Sequence, residues 1–225
     1  MAFERQRKAR KPDLPEFPSL GQLERTPLYS EELGIVLRKK SDREIFKWFL
    51  ASILFGGRIS EKIAKRTYTA FERYKLLEPR KIVRAGWSFL VDPIMREGRY
   101  VRYDGRKSRQ ILSNCETLIA DYGGSLTKLH VSSENSLDLQ EILLSFYGVG
   151  PITANIFLRE MRPYWRNADP EPLLVVHDLA KRLGLDLGAV DRRSVTFSRI
   201  EAGLIRNRKR LERFGGSIER RGDSG

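Results

Sequence analysis

The chain has 225 residues, about one and a half times the ~150 residues of a typical domain, which predicts one domain or two small lobes. Forty-two Lys and Arg against 29 Asp and Glu give a formal net charge of +13, which favours a polyanionic partner, nucleic acid first and an anionic membrane surface second. One cysteine, Cys115, and two histidines, His130 and His177, exclude an internal disulfide, a Cys/His zinc cluster and a cysteine-held iron–sulfur cluster, and with them disulfide scaffolds and most transition-metal enzymes.

Residues 1–20 carry a basic cluster at Arg5, Arg7, Lys8, Arg10 and Lys11 among prolines. This predicts a flexible arm, either a sequence-blind phosphate attractor or a plain solubilising terminus. The start lacks the apolar stretch of a secretory signal peptide, so the expected location is cytoplasmic, nucleoid-associated or otherwise intracellular. From Ser41 the pattern turns helical: Ser41 can cap with Glu44, and Ile45, Trp48, Phe49, Ser52, Ile53 and Phe55 follow at three- and four-residue spacing. The uncharged run from Trp48 to Gly57 is ten residues, half of the roughly 20 that span a bilayer, and reads as a buried core helix. After Gly56-Gly57, Ser60 and Glu61 open a second helix with Ile63, Ala64, Tyr68, Phe71 and Leu76 on one face and Lys62, Lys65, Arg66 and Arg73 on the other. Further helices are expected over 78–87, 93–97, 104–121 and 136–147, and the only strand-like run is Leu173 to Val176. The segment from Arg192 to Arg221 holds ten Lys or Arg and three Glu, with Phe197, Ile200, Leu204, Ile205 and Leu211 at helical period as far as Phe214. It predicts an amphipathic basic helix, ended by Gly215-Gly216, whose apolar face packs on the body rather than on a membrane. The fold class is all-α.

The informative stretch is Ser136 to Met161. Ser136 can cap a helix whose Leu139, Ile142, Leu143 and Phe146 face a core, and Gly148-Val149-Gly150 leaves room only for a tight turn. Pro151 then opens the next helix, where its missing N–H costs nothing. A hairpin of this kind offers backbone N–H groups at a helix start, which bind a phosphate oxygen without reading a base. The competing reading is an ordinary helix-turn-helix packing unit. A dinucleotide loop is excluded, because no strand precedes the glycines and their spacing is not G-x-G-x-x-G.

These residues resemble the helix-hairpin-helix DNA glycosylases, the superfamily of endonuclease III and the adenine glycosylases. The likeness runs from about Phe46 to Leu185. It is strongest over Tyr147-Gly148-Val149-Gly150-Pro151-Ile152-Thr153-Ala154-Asn155, similar to the family's hairpin, and over Val175-Val176-His177-Asp178-Leu179-Ala180-Lys181-Arg182-Leu183, similar to its downstream active-site segment. Arg106-Lys107-Ser108-Arg109 adds a basic helix start. The resemblance implies a two-lobed all-α protein with double-stranded DNA in the groove between lobes, one nucleotide flipped out and its base–sugar bond cut. The lobes expected are residues 41–161, with the helix-hairpin-helix at 136–161, and residues 21–40 plus 162–214, followed by a flexible tail over 215–225.

Three features depart from the family pattern. The lysine that bifunctional members use as a Schiff-base nucleophile is here Ile152, which has no lone pair, so a monofunctional glycosylase of base excision repair without a lyase step is expected. The catalytic aspartate's place is taken by His177, with Asp178 one residue late. Either Asp178 activates water from its shifted place, or neutral His177 acts as the base while Asp178 holds its tautomer. The plain alternatives are a helix-start carboxylate for Asp178 and a surface or cap residue for His177. The family's four-cysteine iron–sulfur motif is absent, so no metal and no cofactor are expected. Gly148, Val149, Gly150, Thr153, Lys107, Arg109, Lys181 and Arg182 are the expected DNA contacts, and Arg58 either fills the gap left by the flipped base or is a solvated loop residue. Ile152, Tyr164 and Trp165 are base-pocket candidates. Trp48, Phe55 and Trp87 could also stack on a base, Trp48 more readily belonging to the core. The rival function is a catalytically silent DNA-binding protein of the same fold that recognises damage or shapes DNA, and a third is binding of RNA or a membrane surface through the basic tail.

Overall fold

The computed structural model describes residues 18–219, with side chains as far as Arg210. The expected basic arm lies outside the described residues except for 18–20, as do residues 220–225 of the expected tail. Among the described residues every regular element is helical.

Two short turns, α1 (Leu20–Leu23) and α2 (Tyr29–Glu32), lead to α3 (Asp42–Phe55). Ser41 Oγ accepts from Glu44 N, as the capping pattern predicts. Ile45, Phe46, Trp48, Phe49, Leu50, Ile53 and Leu54 bury α3 on nearly every side, so it is the central helix. The Trp48 indole finds its acceptor at Phe157 O, 3.1 Å away. Ser60 caps α4 (Glu61–Arg73), whose inner face is Ala64, Thr67, Tyr68, Ala70 and Phe71. Pro79 begins α5 (Pro79–Phe89), which Gly86 breaks at φ +77, a conformation closed to most side chains. A π-helical turn over Leu90–Met95 absorbs Pro93, and α6 (Arg96–Gly98) follows. Next come α7 (Asp104–Tyr122), α8 (Leu126–Ser132), α9 (Ser136–Ser145), α10 (Pro151–Met161), α11 (Leu174–Arg182) and the long α12 (Val195–Glu219).

Four local expectations are corrected. The cap of α9 is Asn135, not Ser136, because the Asn135 side chain accepts from both Leu137 N and Asp138 N. Leu173 to Val176 is not a strand: Leu173 is the N-cap of α11 and residues 174–176 are its first turn. Helix α8 has no counterpart among the expected elements. Finally, α12 runs through Gly215-Gly216 to Glu219, since glycine costs a helix only ~1 kcal/mol relative to alanine and does not forbid it.

The apolar side chains form two clusters. The larger spans Ile35 to Ala168 and is centred on α3, α10 and the hydrophobic faces of α4 and α7. The smaller joins Leu23, Val176, Leu179, Ala180, Ile200 and Leu204. Ile35, Leu37, Trp165 and Ala168 thus belong with the larger cluster rather than with the segments on either side of it. Helix α10 is tied to α12 by a buried ion pair: Arg162, fully buried, donates to the Glu201 carboxylate at 2.5 Å and to Pro170 O at 2.7 Å. Among the described residues no helix is long and apolar enough to cross a membrane.

Candidate nucleic-acid interface

The hairpin is held from below by one face of α7. Lys107, Gln110 and Asn114, spaced i, i+3, i+7, share that face. Asn114 Nδ2 donates to Tyr147 O at 3.3 Å. Gln110, 6% exposed, lies directly under Gly148, where an added Cβ would be 3.0 Å from Gln110 Nε2. Gly148 itself has φ +67, and Val149 N donates to Phe146 O at 3.0 Å to close the turn over the buried Phe146 and Val149 side chains. Only glycine satisfies both the left-handed backbone and the close approach of Gln110. Gly150 is then the N-cap of α10 and Pro151 its first residue.

The backbone N–H groups of Gly148, Gly150, Ile152 and Thr153 have no acceptor among the described residues. They lie together at the turn and the first turn of an 11-residue helix, where the aligned peptide dipoles favour an anion. Ile152 and Tyr147 flank this end with about half of each side chain exposed, whereas Thr153 is buried against the end of α3. A Cβ added to Gly56 would fall 2.0 Å from Thr153 Oγ1, so the Gly56-Gly57-Arg58 turn and the start of α10 are in near-backbone contact.

Lys107 departs from the role expected of a phosphate contact. Its amine is directed inward, donating to Ile53 O at 3.0 Å and to Gln110 Oε1 at 2.6 Å, and so closes the C-terminal end of α3 while steadying the residue beneath Gly148. Withdrawal from water, aided by the charge of Arg106, pulls the Lys107 pKa down to about 8. Between pH 8 and the ordinary value of 10.5 the unfolded chain therefore binds more protons at this residue than the folded chain, and linkage makes the folded state gain stability as pH rises. Urea midpoints at pH 7, 9 and 10.5 are expected to climb in the wild type relative to Lys107→Met. Parallel pH profiles for the two proteins would show that Lys107 titrates as it does in the unfolded chain.

Arg58, Arg109, Lys181 and Arg182 are exposed and make no ion pair with a described residue. They are available for phosphate. Trp165 is corrected from an exposed base-pocket candidate to a core residue: it is 4% exposed, stacked on His130 at 4.5 Å and edge-on to Phe157. Tyr164 is half-buried. Trp48 is core, Phe55 is half-buried beside Tyr29, and the exposed Trp87 donates to Gly105 O.

His177 and Asp178 sit in the second turn of α11, because the helix begins at Leu174. Asp178 is therefore not a helix-start carboxylate and His177 is not a cap. Both are exposed, and neither side chain has a hydrogen-bond or ion-pair partner among the described residues. The hairpin helix is connected to the approach to α11 by Asn155, whose Nδ2 donates to Glu171 O at 2.9 Å. Two further features leave little trace in the sequence. Gln110 supports the hairpin, a role signalled only by its spacing from Lys107. Tyr103, 58% exposed, is held at φ +65 with the Arg102 guanidinium 5.1 Å over its ring. Its signal is the alternation of Arg and Tyr from Arg99 to Arg106. The same segment runs beside the Gly56–Arg58 turn, since a Cβ at Gly57 would lie 2.7 Å from Tyr100 Oη. Among the described residues no group of three or more His, Cys, Asp or Glu is placed to hold a metal ion.

No protein-family model matches the chain, and no curated protein or solved structure matches it.

Proposed function

We propose that this protein binds double-stranded DNA through the α9–α10 hairpin and acts there as a monofunctional DNA glycosylase of base excision repair. The observation that carries the reading is the turn of Gly148, Val149 and Gly150, with one unpaired N–H group in the turn and three at the helix start, on a chain of net charge +13. The exposed Arg58, Arg109, Lys181 and Arg182 supply further phosphate contacts, and the division of the apolar side chains into two clusters suits a groove between two lobes. Ile152 at the hairpin has no amine, so water and not a lysine would attack the sugar carbon, activated by Asp178 or His177. DNA laid over α11 would strip water from the Asp178 carboxylate and strengthen its attraction for an oxocarbenium-like centre.

One observation favours a second reading, DNA binding without excision. Asp178 and His177 stand in the second turn of α11 with nothing to orient them, and an unoriented base loses rate steeply. A panel of duplexes, each with one damaged or mismatched base, separates the two. Strand breaks that appear only after alkali are the result expected of the glycosylase. Tight binding with no break on any lesion assigns the silent binder, and breaks without alkali would mean that an amine does the work of the missing lysine.

A further inference from the structure

Arg159 stands out by what it lacks. It is 1% exposed, on the α10 face two turns below Ile152, yet its guanidinium makes no hydrogen bond with a described residue and no described carboxylate lies within 4.0 Å. Its buried Nε has no acceptor. An unpaired cation away from water is among the costliest groups a fold can hold. Its surroundings add to the charge: the Tyr29 ring has Arg206 at 4.0 Å, Arg159 at 5.9 Å and Lys65 at 6.0 Å from its centroid. Arg206 and Lys65 have carboxylate partners, whereas Arg159 has only this ring, whose modest attraction fades by about 6 Å and cannot replace a counter-ion.

The neighbouring acids are engaged elsewhere. Glu32 receives both Arg206 and Lys65, and Glu61 receives Lys65. Glu160, fully buried, accepts the N–H groups of Tyr29 and Ser30 at 3.1 Å each and thereby fastens α2 to α10. Burial raises the Glu160 pKa, and the charge of Arg159 offsets this only in part. Arg206 also keeps a buried Nε with no acceptor. Two guanidinium groups, each with a buried unpaired Nε, therefore lie near one ring at the meeting of α2, α4, α10 and α12. The side chains of Arg206 and Lys65, 19% and 30% exposed, form the solvent side of this group.

We propose that Arg159, with Arg206 and Lys65 around the Tyr29 ring, forms an oxyanion-binding site of the phosphate class. A phosphate group would accept from the terminal Nη groups of Arg159, which have no hydrogen-bond partner among the described residues, and neutralise that cation. The site rests on Arg159 and its neighbours and does not depend on the hairpin reading. The phosphate could be free or carried by a nucleotide, and the same chemistry serves both.

The test is calorimetric titration of the full chain at fixed ionic strength with low-millimolar inorganic phosphate and, separately, with a deoxynucleoside monophosphate, on wild type and Arg159→Met. Saturable binding by the wild type, weakened at least tenfold in the variant, is expected. The variant's Tm without phosphate should equal or exceed that of the wild type, because an apolar chain of similar length takes the place of an unpaired buried cation. Tighter binding of the nucleotide assigns a nucleotide phosphate, and equal affinities assign free phosphate. Absence of saturable binding of either probe by the wild type, or equal affinity in Arg159→Met, overturns the site. Should Arg159→Met not fold, Arg159→Gln replaces it in the same comparison, and the wild-type titration stands on its own. Duplex DNA affinity at the hairpin is expected to be within a few-fold of wild type in the variant, which separates failure of this site from failure of the DNA-binding reading.

Discussion

Replacing Arg162 by alanine is expected to destabilise the protein by about 3–5 kcal/mol, the cost of leaving one partner of a buried ion pair uncompensated, with Tm falling by on the order of 10 °C. The side chain is fully buried and Glu201 is 1% exposed, so neither charge can turn to water when the other is removed. The Glu201 Oε2 loses its 2.5 Å donor while Oε1 already has none. Pro170 O loses its 2.7 Å donor as well, although Arg192 still reaches it at 3.1 Å. The pair bridges α10 and α12, one in each of the two regions where apolar side chains cluster, so the substitution is expected to loosen the docking of α12. The double variant Arg162→Met, Glu201→Leu removes both charges and is expected to recover most of the stability. A single variant within 1 kcal/mol of wild type in urea unfolding would contradict this account of how α12 is held.

Asp178→Asn is expected to lower base excision by roughly 10²–10⁴-fold, the usual worth of an acid–base group once bound duplex positions it, while duplex affinity changes little. The substitution keeps shape and removes only the charge. His177→Ala distinguishes the two assignments: if His177 is the base, this variant is the one that loses turnover, and if Asp178 acts alone, it keeps most of it. Both side chains are exposed in α11 without partners, so neither change should disturb the fold. Full activity in both variants would remove the catalytic assignment.

Much of the scaffold is legible because the local signals and the tertiary packing agree. Ser41 with Glu44, Ser60 with Glu61, and Pro151 after Gly150 each mark a helix start that the structure contains. Helix α8 is not legible, because its seven residues, capped by Ser125, bury only Leu126 and Leu129 and show no sustained period. The start of α11 is ambiguous for a different reason: four consecutive apolar residues fit a strand or a buried helical turn equally well. That ambiguity displaces His177 and Asp178 by a full turn relative to the helix start. Charged residues are the hardest to place. Arg162 and Glu201, 39 residues apart, give no sequence sign of pairing, and the inward turn of Lys107 and the isolation of Arg159 depend on side chains from other helices. The hairpin itself is legible in its two glycines and proline, but its support from Gln110 and Asn114 is not.

Whether the α9–α10 hairpin holds duplex DNA is read from duplex affinity as a function of salt, between about 50 and 200 mM, for wild type and Gly148→Val. Valine is closed to the φ of +67 at this position and its Cβ meets Gln110. For the wild type, log affinity is expected to fall linearly with log salt by about 0.9 per phosphate contact. Gly148→Val, with helix content unchanged, should bind at least tenfold more weakly and with a slope shallower by about one for each phosphate that the distorted turn no longer reaches. A flat salt response, or equal affinity and slope in the two proteins, would mean that the hairpin does not hold duplex DNA.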